Sequence, residues 1–172
     1  VLLPLVVETI SYQYDRIIND PLSRHDLNLR WNAFGLPTHA MTVSYARRRT
    51  GEDTPPFADP DEQQWWRDAH DEAQQSFYIS ETRAAFIDLD TDPQHWRLGL
   101  PYQQRSNALV LPKGTLPTGL DPEQVSFESL TTHQGSAHWQ TQRVLTTQSV
   151  QRYVTVDGTL LDDGDASFEA LA

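Results

Sequence analysis

The chain has 172 residues, and 13 Lys+Arg against 24 Asp+Glu leave a net charge of −11. A surface this acidic repels phosphate, which argues against nucleic acid or an anionic membrane as partner. Cysteine is absent, which excludes disulfides, thiolate nucleophiles and metal sites built on thiolates.

The opening run Val1-Leu2-Leu3-Pro4-Leu5-Val6-Val7 is apolar but well short of the ~18 residues of a membrane span. It has no basic flank, so it does not read as a signal peptide. A start at Val1 fits a segment of a longer parent. Residues 7–14 are β-branched and aromatic and predict a strand, broken by Asn19-Asp20-Pro21. Leu27, Leu29 and Trp31 then alternate with Asn28, Arg30 and Asn32, the pattern of a half-buried strand. Phe34-Gly35-Leu36-Pro37 reads as a turn, and Met41, Val43 and Tyr45 alternate with Thr42, Ser44 and Ala46. Two alternating runs about a Gly/Pro turn predict a β-hairpin.

Residues 47–60 predict a loop. Asp59 suits a helix N-cap, Pro60 the first helical position, and Glu62 lies three after the cap. Trp65, Trp66, Ala69 and Ala73 form one stripe, so a helix is expected over residues 60–75. Phe77 to Leu89 predicts a long strand, and residues 92–99 a capped helical turn ending at Gly99. Residues 112–122 hold three Pro and two Gly and predict a loop, as do residues 131–136. Val144 to Val156 predicts the last strand, before an acidic tail at Asp162-Asp163-Gly164-Asp165.

The expected fold class is therefore mainly β: long antiparallel strands with one or two short helices. Residues 1–172 read as a single segment of a larger sheet. An isolated sheet of such strands leaves open edges, so neighbouring strands are expected on both sides.

Motifs for chemistry are sparse. Asp88, Asp90 and Asp92 resemble the opening of a calcium loop, but Pro93 holds the glycine position and Gly99 the position of the bidentate Glu. A solvated strand end is the preferred reading. His25, His39, His70, His95, His133 and His138 lack zincin spacing, and His133 with His138 is the one conceivable metal pair. Surface histidine is the plainer reading of all six. There is no G-x-S-x-G elbow, P-loop or G-x-G-x-x-G, and a carboxylate pair such as Glu81 and Asp88 is uninformative in so acidic a chain. Trp31, Trp65, Trp66, Trp96 and Trp139, with Tyr12, Tyr14, Tyr45 and Tyr78, could line a sugar-binding face; packing in a core or interface is favoured.

The residues 7–16, Leu27-Asn28-Leu29-Arg30-Trp31-Asn32-Ala33-Phe34-Gly35 and Val43-Ser44-Tyr45-Ala46-Arg47-Arg48 resemble a known family. Leu98-Gly99-Leu100-Pro101, Gln104-Arg105-Ser106-Asn107, Ser126-Phe127-Glu128-Ser129-Leu130, Arg143-Val144-Leu145-Thr146 and Ser149-Val150-Gln151-Arg152-Tyr153 follow in the same order. The resemblance is to the middle-to-C-terminal region of the B component of bacterial ABC-type insecticidal toxin complexes, the Tc toxins. Trp31-Asn32-x-x-Gly35 also resembles the YD-repeat core Y-D-x-x-G.

The resemblance implies a structural role. In that family the B and C components form a hollow RHS/YD-type β-shell around a cytotoxic polypeptide, and a part of B elsewhere docks on the pore-forming A component. It implies a secreted, extracellular complex made in the bacterial cytoplasm. The C component is then shell partner and cargo, and this segment touches neither nucleic acid nor membrane. Self-cleavage belongs to an aspartyl site of the C component, which Gly119-Leu120-Asp121-Pro122 echoes only superficially. No catalytic, cofactor-binding or metal residue carries over, and the expectation is a wall segment that is not an enzyme. The alternative is a secreted β-rich carbohydrate- or ligand-binding module. A small hydrolase with an Asp/His pair has no motif behind it.

Overall fold

The computed structural model describes residues 2–14, 17–91, 93, 96–113, 143–154 and 158. Among these residues six strands form one antiparallel sheet in chain order: β1 Glu8–Gln13, β2 Leu22–Trp31, β3 Pro37–Ser44, β4 Ser76–Leu89, β5 Arg97–Pro112 and β6 Val144–Val150. Each strand pairs with its sequence neighbour, so no crossover connection is needed. The mainly-β expectation and the β2–β3 hairpin are both borne out. β4 and β5, with 14 and 16 residues, carry the longest ladder.

Register decides which residues share a face. Leu27, Met41, Glu81 and Asn107 lie in one cross-strand row, and His25, Val43, Ile79 and Leu109 in the next. Leu27, Leu29, Met41, Val43, Phe77, Ile79, Leu109 and Leu111 on this face form the core. Tyr45 closes one end, edge-on to Phe77 at 5.8 Å between ring centres. The opposite face is polar. There Arg24 pairs with Asp26, Thr42 donates to Asp26 at 2.6 Å, and the Thr82 and Ser106 hydroxyls meet at 3.3 Å. Period-two alternation therefore gives one apolar and one wet face, as antiparallel sheets allow.

The Trp31-Asn32-x-x-Gly35 motif has a local physical cause. The Asn32 Oδ1 accepts the backbone N–H groups of Phe34 and Leu36, at 3.0 and 2.9 Å, and so builds the hairpin turn. Gly35 has φ +80°, and a Cβ there falls 2.5 Å from the Leu3 side chain. The Asn32 amide then donates to Asp88 Oδ2 at 2.9 Å, tying the turn to β4.

Helix α1 runs Pro60–Ala69, shorter than the expected 60–75. Asp59 caps it as expected, accepting from Asp61 N and Glu62 N. It ends because His70 leaves helical geometry and Asp71 caps a separate 3-10 turn, Glu72–Gln75. The buried stripe also differs from expectation. Trp66 and His70 are buried, whereas Trp65 is 68% exposed. The expected helical turn at 92–99 is corrected too: Arg97, Leu98 and Gly99 belong to β5. Leu98 and Gly99 oppose the single residue Asp88, a β-bulge in which Gly99 takes φ +71° and donates its N–H to Asp88 Oδ1 at 2.8 Å. β6 ends at Val150 rather than Val156. The loops expected within 114–142 and the acidic tail lie outside the described residues.

Candidate functional site

Among the described residues two carboxylates are buried, and both are held by several donors. Glu81 sits in the middle of the apolar face. Its Oε1 accepts from His39 Nε2 at 2.8 Å and from Arg83 Nη2 at 3.1 Å. Its Oε2 accepts from Arg143 Nη1 at 3.0 Å and Asn107 Nδ2 at 3.4 Å. Burial alone would raise the pKa of this carboxyl. The hydrogen bonds from His39 and Arg143, with the field of Arg83, overcome that and hold it well below the usual range. The cluster joins β3, β4, β5 and the residue that leads into β6.

Asp20 does the same at the end of the sheet. It accepts from Arg47 Nε at 2.9 Å, Arg48 N at 2.8 Å and His70 Nε2 at 3.2 Å. Desolvation is again outweighed, by Arg48 N–H, His70 and Arg47, so this carboxyl is also lowered. His70 Nδ1 faces the Trp66 carbonyl at 2.7 Å, so both ring nitrogens face oxygen atoms. A third pair joins His25 Nε2 to Glu8 at 3.2 Å and ties β1 to β2. His25 Nδ1 lies 3.2 Å from the Tyr45 hydroxyl, whose acidity is weakened first by burial and then by Tyr12 and Glu8.

These groups tie elements together. A carboxylate with its lone pairs occupied by arginine and amide donors is a poor base. His25, His39 and His70 correct the reading of surface histidine, being 0%, 3% and 8% exposed. Each lies on the core face or at its end, a position that depends on strand register. The pattern signal was available for His25 and His39, which continue the inward alternation of Leu27 and Met41.

The remaining expected site residues scatter. Asp88 is consumed by the turn and bulge described above, Asp90 lies just past β4, and Asp92 is outside the described residues. His95, His133, His138 and Trp139 are outside them as well. Among the aromatics, Trp66 and Tyr45 pack as expected. Tyr12, Tyr14, Tyr78, Trp65 and Trp96 are not in the core; each is at least 44% exposed. Tyr12 and Tyr78 lie on opposite faces of the sheet, so these rings do not converge on one platform.

What the described residues do present is a pair of open edges. All six residues of β1 and all seven of β6 are exposed. Large apolar side chains stand in both: Ile10 and Tyr12 in β1, and Val144, Leu145 and Val150 in β6, flanked by Val6, Val7 and Val154. Outermost strands carry a row of N–H and C=O groups that a further strand can use.

The chain matches the family described as the insecticide toxin TcdB middle/C-terminal region over residues 1–100. No curated protein matches it. Among solved structures it is similar to TcdB2-TccC3 without the hypervariable C-terminal region, with TM-score 0.71 and 23% identity over 91% of this chain. The TcdB2-TccC3-Cdc42 structure gives 0.72 and 24% over 90%. The Photorhabdus luminescens Tc holotoxin pore with a substituted TccC3 gives 0.67 and 21% over 90%. The chain spans 7% of the length of each of these chains. At such identities the likeness is one of fold, and it runs through strands beyond residue 100. The matched residues 1–100 include the hairpin, helix α1 and the whole of β4, and on that match the chain belongs to the insecticide toxin TcdB middle/C-terminal region family.

Proposed function

We propose that this chain is a non-enzymatic wall segment of a toxin-complex B component. Its sheet continues into further strands of the parent on both sides, as part of a hollow β-shell. The shell encloses a cytotoxic polypeptide for delivery into host cells. The partners are the C component, as shell partner and cargo, and the pore-forming A component through other parts of the parent. The complex acts outside the producing cell. The observation that carries this is the full exposure of β1 and β6 together with their apolar side chains. A soluble domain that ended at these strands would blunt them with charge, proline or a cover. Support comes also from the saturated state of Glu81 and Asp20, which leaves them as ties, and from likeness to TcdB2-TccC3 structures.

Hydrogen exchange tests the reading. In the complete B component assembled with its C component, the amides of Glu8–Gln13 and Val144–Val150 should be protected as well as those of Pro37–Ser44. In the 172-residue chain, diluted until it is monomeric, they should exchange much faster than β3. Equal, fast exchange of both edge strands in the assembled parent would overturn the wall reading.

A further inference from the structure

We infer that Arg105 receives a carboxylate from a segment of the parent beyond residues 1–172, one that lies over the core face along β6; this rests on the reading of the chain as a wall segment. Arg105 stands in the middle of β5. It points to the core face, because Asn107, two residues on, meets Glu81 there. Directly opposite in the ladder is Arg83. Like charges at opposed sites repel, so this row calls for acid. Glu81, the neighbouring carboxylate on the face, is already engaged: Arg83 holds Oε1, and Arg143 and Asn107 hold Oε2. Among the described residues no acceptor reaches the Arg105 side chain, and its Nε is buried without a hydrogen bond. A guanidinium nitrogen shut off from water with no acceptor gives up its hydration for nothing in return.

β6 shows what surrounds that acid. Arg105 pairs with Gln148, and the same-face rows on either side pair Asn107 with Leu145 and Gln103 with Val150. Leu145, Gln148 and Val150 therefore share the core face with Arg105. All three are exposed, Leu145 at 48% and Val150 at 44%. The strip is thus a half-buried cation between two uncovered apolar side chains, each one row or ~7 Å away along the ladder. A purely apolar cover would strand the charge, and bare solvent would leave the leucine and valine wet. A carboxylate flanked by apolar side chains meets both needs, since arginine binds carboxylate through paired N–H donors. The segment lies above the face, because Arg105 is one strand in from the edge and points out of the plane of the sheet. The parent supplies it because, in the wall reading, the sheet runs on past β6 and brings further stretches of the same polypeptide against this strip.

The test uses the complete B component assembled with its C component. Gln148→p-benzoylphenylalanine, at an exposed side chain beside Arg105, is photoactivated, and the cross-linked peptide is read by mass spectrometry. That peptide should come from the parent outside residues 1–172 and carry Asp or Glu next to apolar residues. Hydrogen exchange then reads the pair. In the assembly, Val144–Val150 should exchange about tenfold faster in Arg105→Glu than in wild type. Lysine in place of the cross-linked acid should bring Arg105→Glu back to within about twofold of wild type. Arg105→Met keeps the apolar stem and loses the charge, and should speed the same amides about threefold. An unchanged rate in Arg105→Met overturns the inference, even if Arg105→Glu does not assemble. So does a charge swap that restores nothing. The absence of a cross-link, a peptide from residues 1–172 or from the C component, or one without an acid also overturns it. In each of these cases, protected β6 amides in wild type leave the wall reading standing. Fast exchange of β6 in the wild-type assembly overturns the wall reading and this inference with it.

Discussion

Glu81 shows how one residue organises a sheet. A carboxylate among Met41, Ile79 and Leu109 carries a large desolvation cost, which only surrounding donors can offset. The cost is met by His39, Arg83, Asn107 and Arg143, drawn from four stretches of chain. Removing the charge leaves two guanidinium groups against an apolar wall. Glu81→Gln should therefore destabilise the fold by about 3 kcal/mol in urea unfolding, in line with breaking a buried pair. The pH dependence has a definite sign. The folded carboxyl is lowered, so its contribution is complete above the unfolded value of about 4.3 and declines as pH falls below it. Wild-type stability should fall between about pH 4 and pH 2, and Glu81→Gln should flatten that limb. An equally steep acid limb in the variant would assign it to other carboxylates. The sequence hides this residue because a lone Glu in a chain with 24 acids carries no mark; only register places it against His39 and Asn107.

At the scale of elements, legibility follows locality. The Asp59-Pro60 start of α1 is a first-turn event settled by side chains within three residues, so it is read directly from sequence. Asp59→Ala should cost about 1 kcal/mol and speed amide exchange in the first turn of α1, with the sheet amides little changed. The helix end and its buried stripe are different. Trp66 rather than Trp65 turns inward because His70, one turn on, is pinned to Asp20 across 50 residues, and that contact selects the face. The same holds at Gly99. A glycine after a polar run looks like a helix stop, yet here it opens a bulge whose form is fixed by Asp88 on the neighbouring strand.

At the scale of the whole molecule, the sheet formed by the described residues is apolar on one face, polar on the other and open at both margins. Edge strands with exposed Ile10, Tyr12, Val144 and Leu145 are templates for further pairing. The 172-residue chain alone should self-associate through contacts of β1 with β6, because a head-to-tail match of two different edges does not close on itself. Sedimentation velocity should show species larger than monomer that increase with concentration. Ile10→Lys with Leu145→Lys should shift the distribution to monomer without loss of β-sheet circular dichroism. A chain that stays monomeric before substitution would show the edges to be self-protecting.

The amino-acid sequence by itself determined the class of the fold, the long strands, the Asn32–Gly35 turn and the helix start, because each depends on alternation or on neighbours a few residues away. Its ordered set of packing motifs resembled the family that the match over residues 1–100 establishes. Only the tertiary structure decided which histidines are buried and which carboxylates act as ties. Those features are built from residues tens of positions apart, and a single step in strand register would send each side chain to the other face.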